Sequence, residues 1–129
     1  MARILVVDDD PMIRDLLSDV LETEGYDVFQ AANGQVAVEI ARRSRPHLIL
    51  MDLMMPVLDG SSAIRILKSA DETRRIRIIV MSAVMNLRRF SEELPADGLL
   101  DKPFDLDTLL SDVAQQVNVR DEIGMEEVS

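Results

Sequence analysis

The chain has 129 residues, 47% of them hydrophobic, with no cysteine and a net charge of −10. That length is one ordinary domain with room for a buried core, and the composition excludes a disordered chain, a disulfide scaffold and any thiolate metal site or nucleophile. The acidic balance argues against direct binding of nucleic-acid backbone, and the apolar run near the N-terminus is too short for a signal peptide or a membrane span, so a cytoplasmic protein is expected.

Residues 4–7 form a continuous apolar run, as a strand buried on both faces should. Asp8, Asp9 and Asp10 follow it directly. Two unit charges about 4 Å apart repel by roughly 4 kcal/mol at an effective dielectric near 20, so this run needs a reason. Asp10 has a local one, as the N-cap of a helix with Pro11 in its first turn. Ile13, Leu16, Leu17, Val20 and Leu21 make one face of that helix, and Gly25 ends it. Asp8 and Asp9 have no such local reason.

Residues 26–30 read as a strand nearer an edge. Residues 34–44 read as a helix whose closing Arg42, Arg43 and Arg45 complement its dipole. Residues 48–51 are a second fully buried strand, preceded by the sole histidine, His47, at the end away from the acidic residues. A helix over 60–70, a strand over 78–81, a helix near 84–93 broken by Pro95, and a weaker strand over 98–100 follow. Leu106, Leu109, Leu110, Val113 and Val117 place a final amphipathic helix. Residues 119–129 are acidic and lack a helical stripe, so they are expected to be a frayed tail behind a domain of residues 1–118. The methionines are read as core filler.

Five βα units in succession imply an α/β fold, a doubly wound parallel sheet with right-handed crossovers and helices on both faces. Ligands in such sheets bind beyond the carboxyl ends of the strands. Those ends carry Asp8 and Asp9, then Asp52, then Ser82, then Lys102 before Pro103, while the second strand contributes nothing charged. Lysine is sparse here, only Lys68 and Lys102 against many arginines, which favours a specific use for Lys102 as a compact point charge. Three carboxylates on one rim call for a cation, and Mg²⁺ suits oxygen ligands that leave room for a phosphoryl oxygen. With Lys102 and Ser82 beside them, the set describes a site that moves a phosphoryl group onto a carboxylate.

The segments VVDDDP, LILMDLMMPVLDG, IVMSA and LLDKPF, in that order, resemble the response regulator receiver domain over about residues 2–118. The resemblance implies a flavodoxin-like (βα)5 fold with strand order 2-1-3-4-5. It implies that Asp52 is the phosphoacceptor, charged by a sensor histidine kinase or a histidine phosphotransfer protein. Asp9, Asp52 and the backbone carbonyl of Met54 would hold Mg²⁺ directly, and Asp8 mostly through water. Lys102 would pair with phosphoryl oxygens, Ser82 would hydrogen-bond the phosphoryl group, and similar domains have a cis bond at the position of Lys102–Pro103. The downstream partner would be a protein or an output domain, with no direct nucleic acid and no membrane.

The chain departs from the family pattern in two places. Leu99 stands where receivers usually have Tyr or Phe, and the stretch from Ser82 to Lys102 looks about two residues short, which implies a shortened helix near 84–93. Leu99 supports an alternative reading, an interaction module whose conformational switch is lost or rerouted. A second alternative is an aspartate-nucleophile phosphatase of the haloacid dehalogenase type built on Asp8, Asp10, Ser82 and Lys102. Against it, Met12 stands where Thr or Val is expected, no late G-D-x-x-x-D follows, and Asp52 has no role.

Overall fold

The apolar runs of the sequence become the central strands of one sheet. A computed structural model describes residues 2–53, 55, 57–82 and 95–128, and of residues 119–128 the backbone only. Its elements are β1 (Arg3–Val7), α1 (Pro11–Thr23), β2 (Asp27–Ala31), α2 (Gly34–Ser44), β3 (Leu48–Asp52), α3 (Gly60–Ser69), β4 (Arg77–Ser82), β5 (Gly98–Asp101) and α4 (Leu106–Val128). The sheet order is β2-β1-β3-β4-β5, with every neighbouring pair parallel. This is the doubly wound order expected. The helix expected near 84–93 lies outside the described residues.

Alternation along each strand explains why the runs are apolar throughout. Leu5, Val7, Ile49, Met51, Ile78 and Val80 face one core with Ala37, Val38 and Ala41 of α2 and Ala63, Ile64 and Leu67 of α3. Ile4, Val6, Leu48, Leu50, Ile79 and Met81 face the other, with Leu17 and Leu21 of α1 and Leu109, Val113 and Val117 of α4. Met51 and Met81 are core residues, as expected. Leu16 is not. It is 52% exposed, because the buried stripe of α1 runs through Ile13, Leu17 and Leu21 and turns Leu16 to its edge.

The helix ends are held as their residues suggest. Asp10 caps α1 by accepting from the Met12 N–H at 2.9 Å, and Asn33 caps α2 by accepting from Val36 at 2.9 Å. α2 closes on Arg45 in the left-handed region at φ 43, and the Arg3 guanidinium donates to the last carbonyls, Ser44 O at 3.1 Å and Arg45 O at 2.9 Å. His47 sits at this same rim, opposite the acidic residues, accepting from the Arg3 N–H at its Nδ1. Before α4, the Asp105 carboxylate accepts from the Thr108 N–H at 2.7 Å, which holds its pKa below the usual 3.8. That contribution to the helix start is present above the ordinary value and is lost as pH falls through the lowered one.

Two features differ from the sequence reading. α4 runs on to Val128 instead of giving way to a frayed tail at residue 119. A helix needs only local backbone bonds, and the Arg, Glu and Met residues there are good helix formers. The second is a polar brace beneath the sheet. Lys68 donates to Ile76 O at 2.8 Å and to Asp97 Oδ2 at 3.1 Å, while Arg77 donates to Gln116 Oε1 at 2.9 Å, which ties α3, β4 and α4 together. No helix among the described residues is long and apolar enough to cross a membrane.

Candidate functional site

The parallel order brings the carboxyl ends of β1, β3, β4 and β5 to one rim, and the expected residues meet there. Asp52 and Ser82 lie inside their strands rather than after them, Asp52 in register with Met81 and Ser82 with Asp101. Both are buried, so the ladder itself fixes their backbones. One carboxylate oxygen from each of Asp8, Asp9 and Asp52 lies within 4.8 Å of the other two. At that spacing each like-charge pair costs at least about 3.5 kcal/mol at an effective dielectric near 20, so the group requires a counter-charge.

Within the protein, Lys102 supplies it. Its Nζ is 2.9 Å from Asp8 Oδ2 and 3.7 Å from Asp52 Oδ1, so the close partner is Asp8, which is only 1% exposed. The Lys102 N–H donates to Ser82 O at 2.8 Å, which ties the end of β5 to β4, and the following bond to Pro103 is cis. The other Asp8 oxygen accepts from the Asp10 N–H at 3.0 Å. Asp9 stays exposed and closes the mouth of the cluster. Asp10 caps α1 and is not part of the group, which removes the second carboxylate that the phosphatase alternative needs. Met54 lies outside the described residues. Leu99 pairs with Val80 and is partly buried against the core between the sheet and α2 and α3.

Two supporting residues escape a reading of strand ends. Arg14 reaches back from α1 to donate to Asp8 O at 2.8 Å and to Gln30 Oε1 at 3.2 Å. Its only sequence signal is a basic residue one turn past an acidic cap. Gly60 is the other: its N–H donates to Leu53 O at 3.1 Å, and a Cβ there would sit 2.3 Å from Asp52 O. The Asp-Gly pair at 59–60 signals a helix start but not this close approach to the strand. Gly60→Ala is therefore expected to destabilise the fold by about 2 kcal/mol, read by urea denaturation, because the obstacle is backbone that cannot step aside. Denaturation within about 0.5 kcal/mol of the parent would contradict the contact.

Comparison with known proteins agrees with this geometry. The family model for the response regulator receiver domain matches residues 4–114. The chain is 42% identical over 109 residues to sporulation initiation phosphotransferase F of Bacillus subtilis, covering 83% of this chain and 86% of that one. It is 37% identical over 125 residues to the DNA-binding dual master transcriptional regulator RpaA of Synechocystis, covering 95% of this chain but spanning only 52% of that protein. Among solved structures, it superposes with a TM-score of 0.83 on the receiver domain of a sensor histidine kinase from Pseudomonas aeruginosa, which has a magnesium ion coordinated in its active site cleft. That match has 33% identity and covers 91% of this chain and 98% of the other. A family match over nearly all of the sheet, joined to an acidic group at the one rim where such sheets bind ligands, means that the chain belongs to the response regulator receiver domain family, whose members are signalling phosphoacceptors.

Proposed function

We propose that Asp52 is the phosphoacceptor, charged from a phosphohistidine on a sensor histidine kinase or a histidine phosphotransfer protein, and that the charged form engages a downstream protein or output domain. The observation that carries this reading is the meeting of the Asp8, Asp9 and Asp52 carboxylates beside the Lys102 ammonium. Three hard oxygen donors at a partly open rim fit Mg²⁺, which takes one or two carboxylates and keeps several waters. Asp8, Asp9, Asp52 and the Met54 carbonyl would hold it, Asp8 mostly through water. When bound, the ion supplies positive charge that offsets repulsion between the carboxylates and the incoming phosphoryl oxygens.

An Asp52 carboxylate oxygen attacks phosphorus, the P–N bond to the donor imidazole breaks, and the electron pair stays on the imidazole nitrogen. The product is an acyl phosphate on Asp52. Lys102 pairs with one phosphoryl oxygen and the Ser82 hydroxyl donates to another, so the contribution of the chain is positioning and charge stabilisation. It acts on its own side chain and is a phosphoprotein rather than a turnover enzyme. Met12 and Leu16, 80% and 52% exposed and one turn apart on α1, form an apolar strip beside the rim on which a donor helix can rest.

Incubation with acetyl phosphate and Mg²⁺, followed by peptide mapping, is expected to find the modification on Asp52; modification at another residue would overturn the assignment. Asp9→Ala is expected to lose Mg²⁺ binding in a calorimetric titration. An unchanged titration removes Asp9 from the ligand set.

A further inference from the structure

We propose that Arg14 is a positioning residue for the metal-binding turn, acting through the Asp8–Asp9 peptide; this rests on the reading of Asp9 as a Mg²⁺ ligand. Arg14 lies in the first turn of α1, its N–H donating to Asp10 O at 3.0 Å. Its guanidinium turns back to the sheet, with Nη1 on Asp8 O at 2.8 Å and Nε on Gln30 Oε1 at 3.2 Å. The Asp8 carbonyl is one edge of a rigid peptide plane whose other edge is the Asp9 nitrogen. Holding that oxygen therefore sets the rotation of the plane, and with it the direction in which the Asp9 side chain leaves the backbone.

Asp9 needs such a hold. It lies beyond the end of β1 and is exposed, yet its carboxylate must join those of Asp8 and Asp52 within 4.8 Å. Asp8 is fixed independently, by burial, by Lys102 and by the Asp10 N–H. The remaining freedom is the turn at Asp9, and Arg14 is the side chain that grips it. A planar guanidinium suits the task, because two donors of one rigid fork reach acceptors on two different segments, the turn after β1 and strand β2, whereas an ammonium is a single point. Gln30, on edge strand β2, anchors the fork from the other side.

The sign of the effect separates positioning from charge. Arg14 is a cation near three carboxylates, so a purely electrostatic role means that its removal should tighten Mg²⁺ binding. Positioning demands the reverse. Arg14→Met, which keeps much of the apolar stem, is expected to weaken Mg²⁺ binding about tenfold in calorimetry, the low end for supporting partners of a metal ligand. Arg14→Lys should recover part of that loss, and Gln30→Leu, which changes no charge, should show a smaller loss in the same direction. Labelling by acetyl phosphate should return to the parent level in all three when Mg²⁺ is saturating. Mg²⁺ affinity equal to or tighter than the parent in Arg14→Lys and Gln30→Leu would overturn the proposal, even if Arg14→Met fails to fold. Asp9→Ala is the control: if it loses Mg²⁺ binding while the Arg14 variants bind normally, the positioning role alone falls. If it binds as the parent does, the ligand reading fails and the positioning role falls with it.

Discussion

Asp52→Asn is expected to reduce phosphoryl labelling from acetyl phosphate to background at every Mg²⁺ concentration. The substitution keeps the shape of the side chain but removes the anionic oxygen proposed to attack phosphorus, so an acyl phosphate could not form there. The fold should survive, because what holds residue 52 in place is backbone. It pairs with Met81 in the β3–β4 ladder, and Gly60 packs against its carbonyl. Lys102 keeps its closer partner, Asp8, at 2.9 Å. The loss of labelling should therefore appear without a loss of stability, which circular dichroism melts would establish on the same samples. Labelling of Asp52→Asn above background, at Asp8, Asp9 or anywhere else, would sink the assignment.

Lys102→Met and Asp9→Ala should move the stability of the metal-free protein in opposite directions. Lys102 is the internal counter-ion of the cluster, with its side chain 19% exposed and that of Asp8 1% exposed. Removing it leaves the buried Asp8 carboxylate beside two others without the ammonium that pairs with it. Breaking a buried pair in this way costs about 3–5 kcal/mol, and the open rim places this site near the lower figure, about 3 kcal/mol. Added Mg²⁺ should restore much of that loss, since a metal that binds only the folded state stabilises it. Asp9→Ala instead removes one source of repulsion, so the metal-free fold should gain stability while losing its response to Mg²⁺. Urea denaturation with and without Mg²⁺ reads both variants. A Lys102→Met protein as stable as the parent in the absence of metal would show that the 2.9 Å pair does not hold the cluster together. Labelling of this variant should also fall, by about 100-fold or more, if the Lys102 charge pairs with the phosphoryl oxygens as proposed.

The rim was legible in the sequence because strand ends are marked locally. An apolar run followed at once by Asp8 and Asp9, by Asp52 or by Ser82 tells where the apolar core gives way to polar groups. Asp10 was legible for a different reason, since an aspartate before proline reports a helix cap from its neighbours alone. The extent of α4 was not legible from burial periodicity. That apolar spacing ends at Val117 in the sequence, while the backbone of the helix continues to Val128 on local bonding.

Length, composition and periodicity by themselves determined a single α/β domain, its parallel sheet and the acidic rim. These follow from the burial of each residue relative to its neighbours, which repeats every two residues in a strand and every three or four in a helix. Only the tertiary structure decided which carboxylate Lys102 grips, because the two partners stand 94 residues apart and their distance depends on how β1 and β5 end relative to one another. It likewise decided that Leu16 faces outward, that Gly60 must be small because β3 passes beside it, and that Arg14 donates to both Asp8 O and Gln30 Oε1. Each of these depends on which elements become neighbours once the sheet has formed, and sequence spacing does not record that choice.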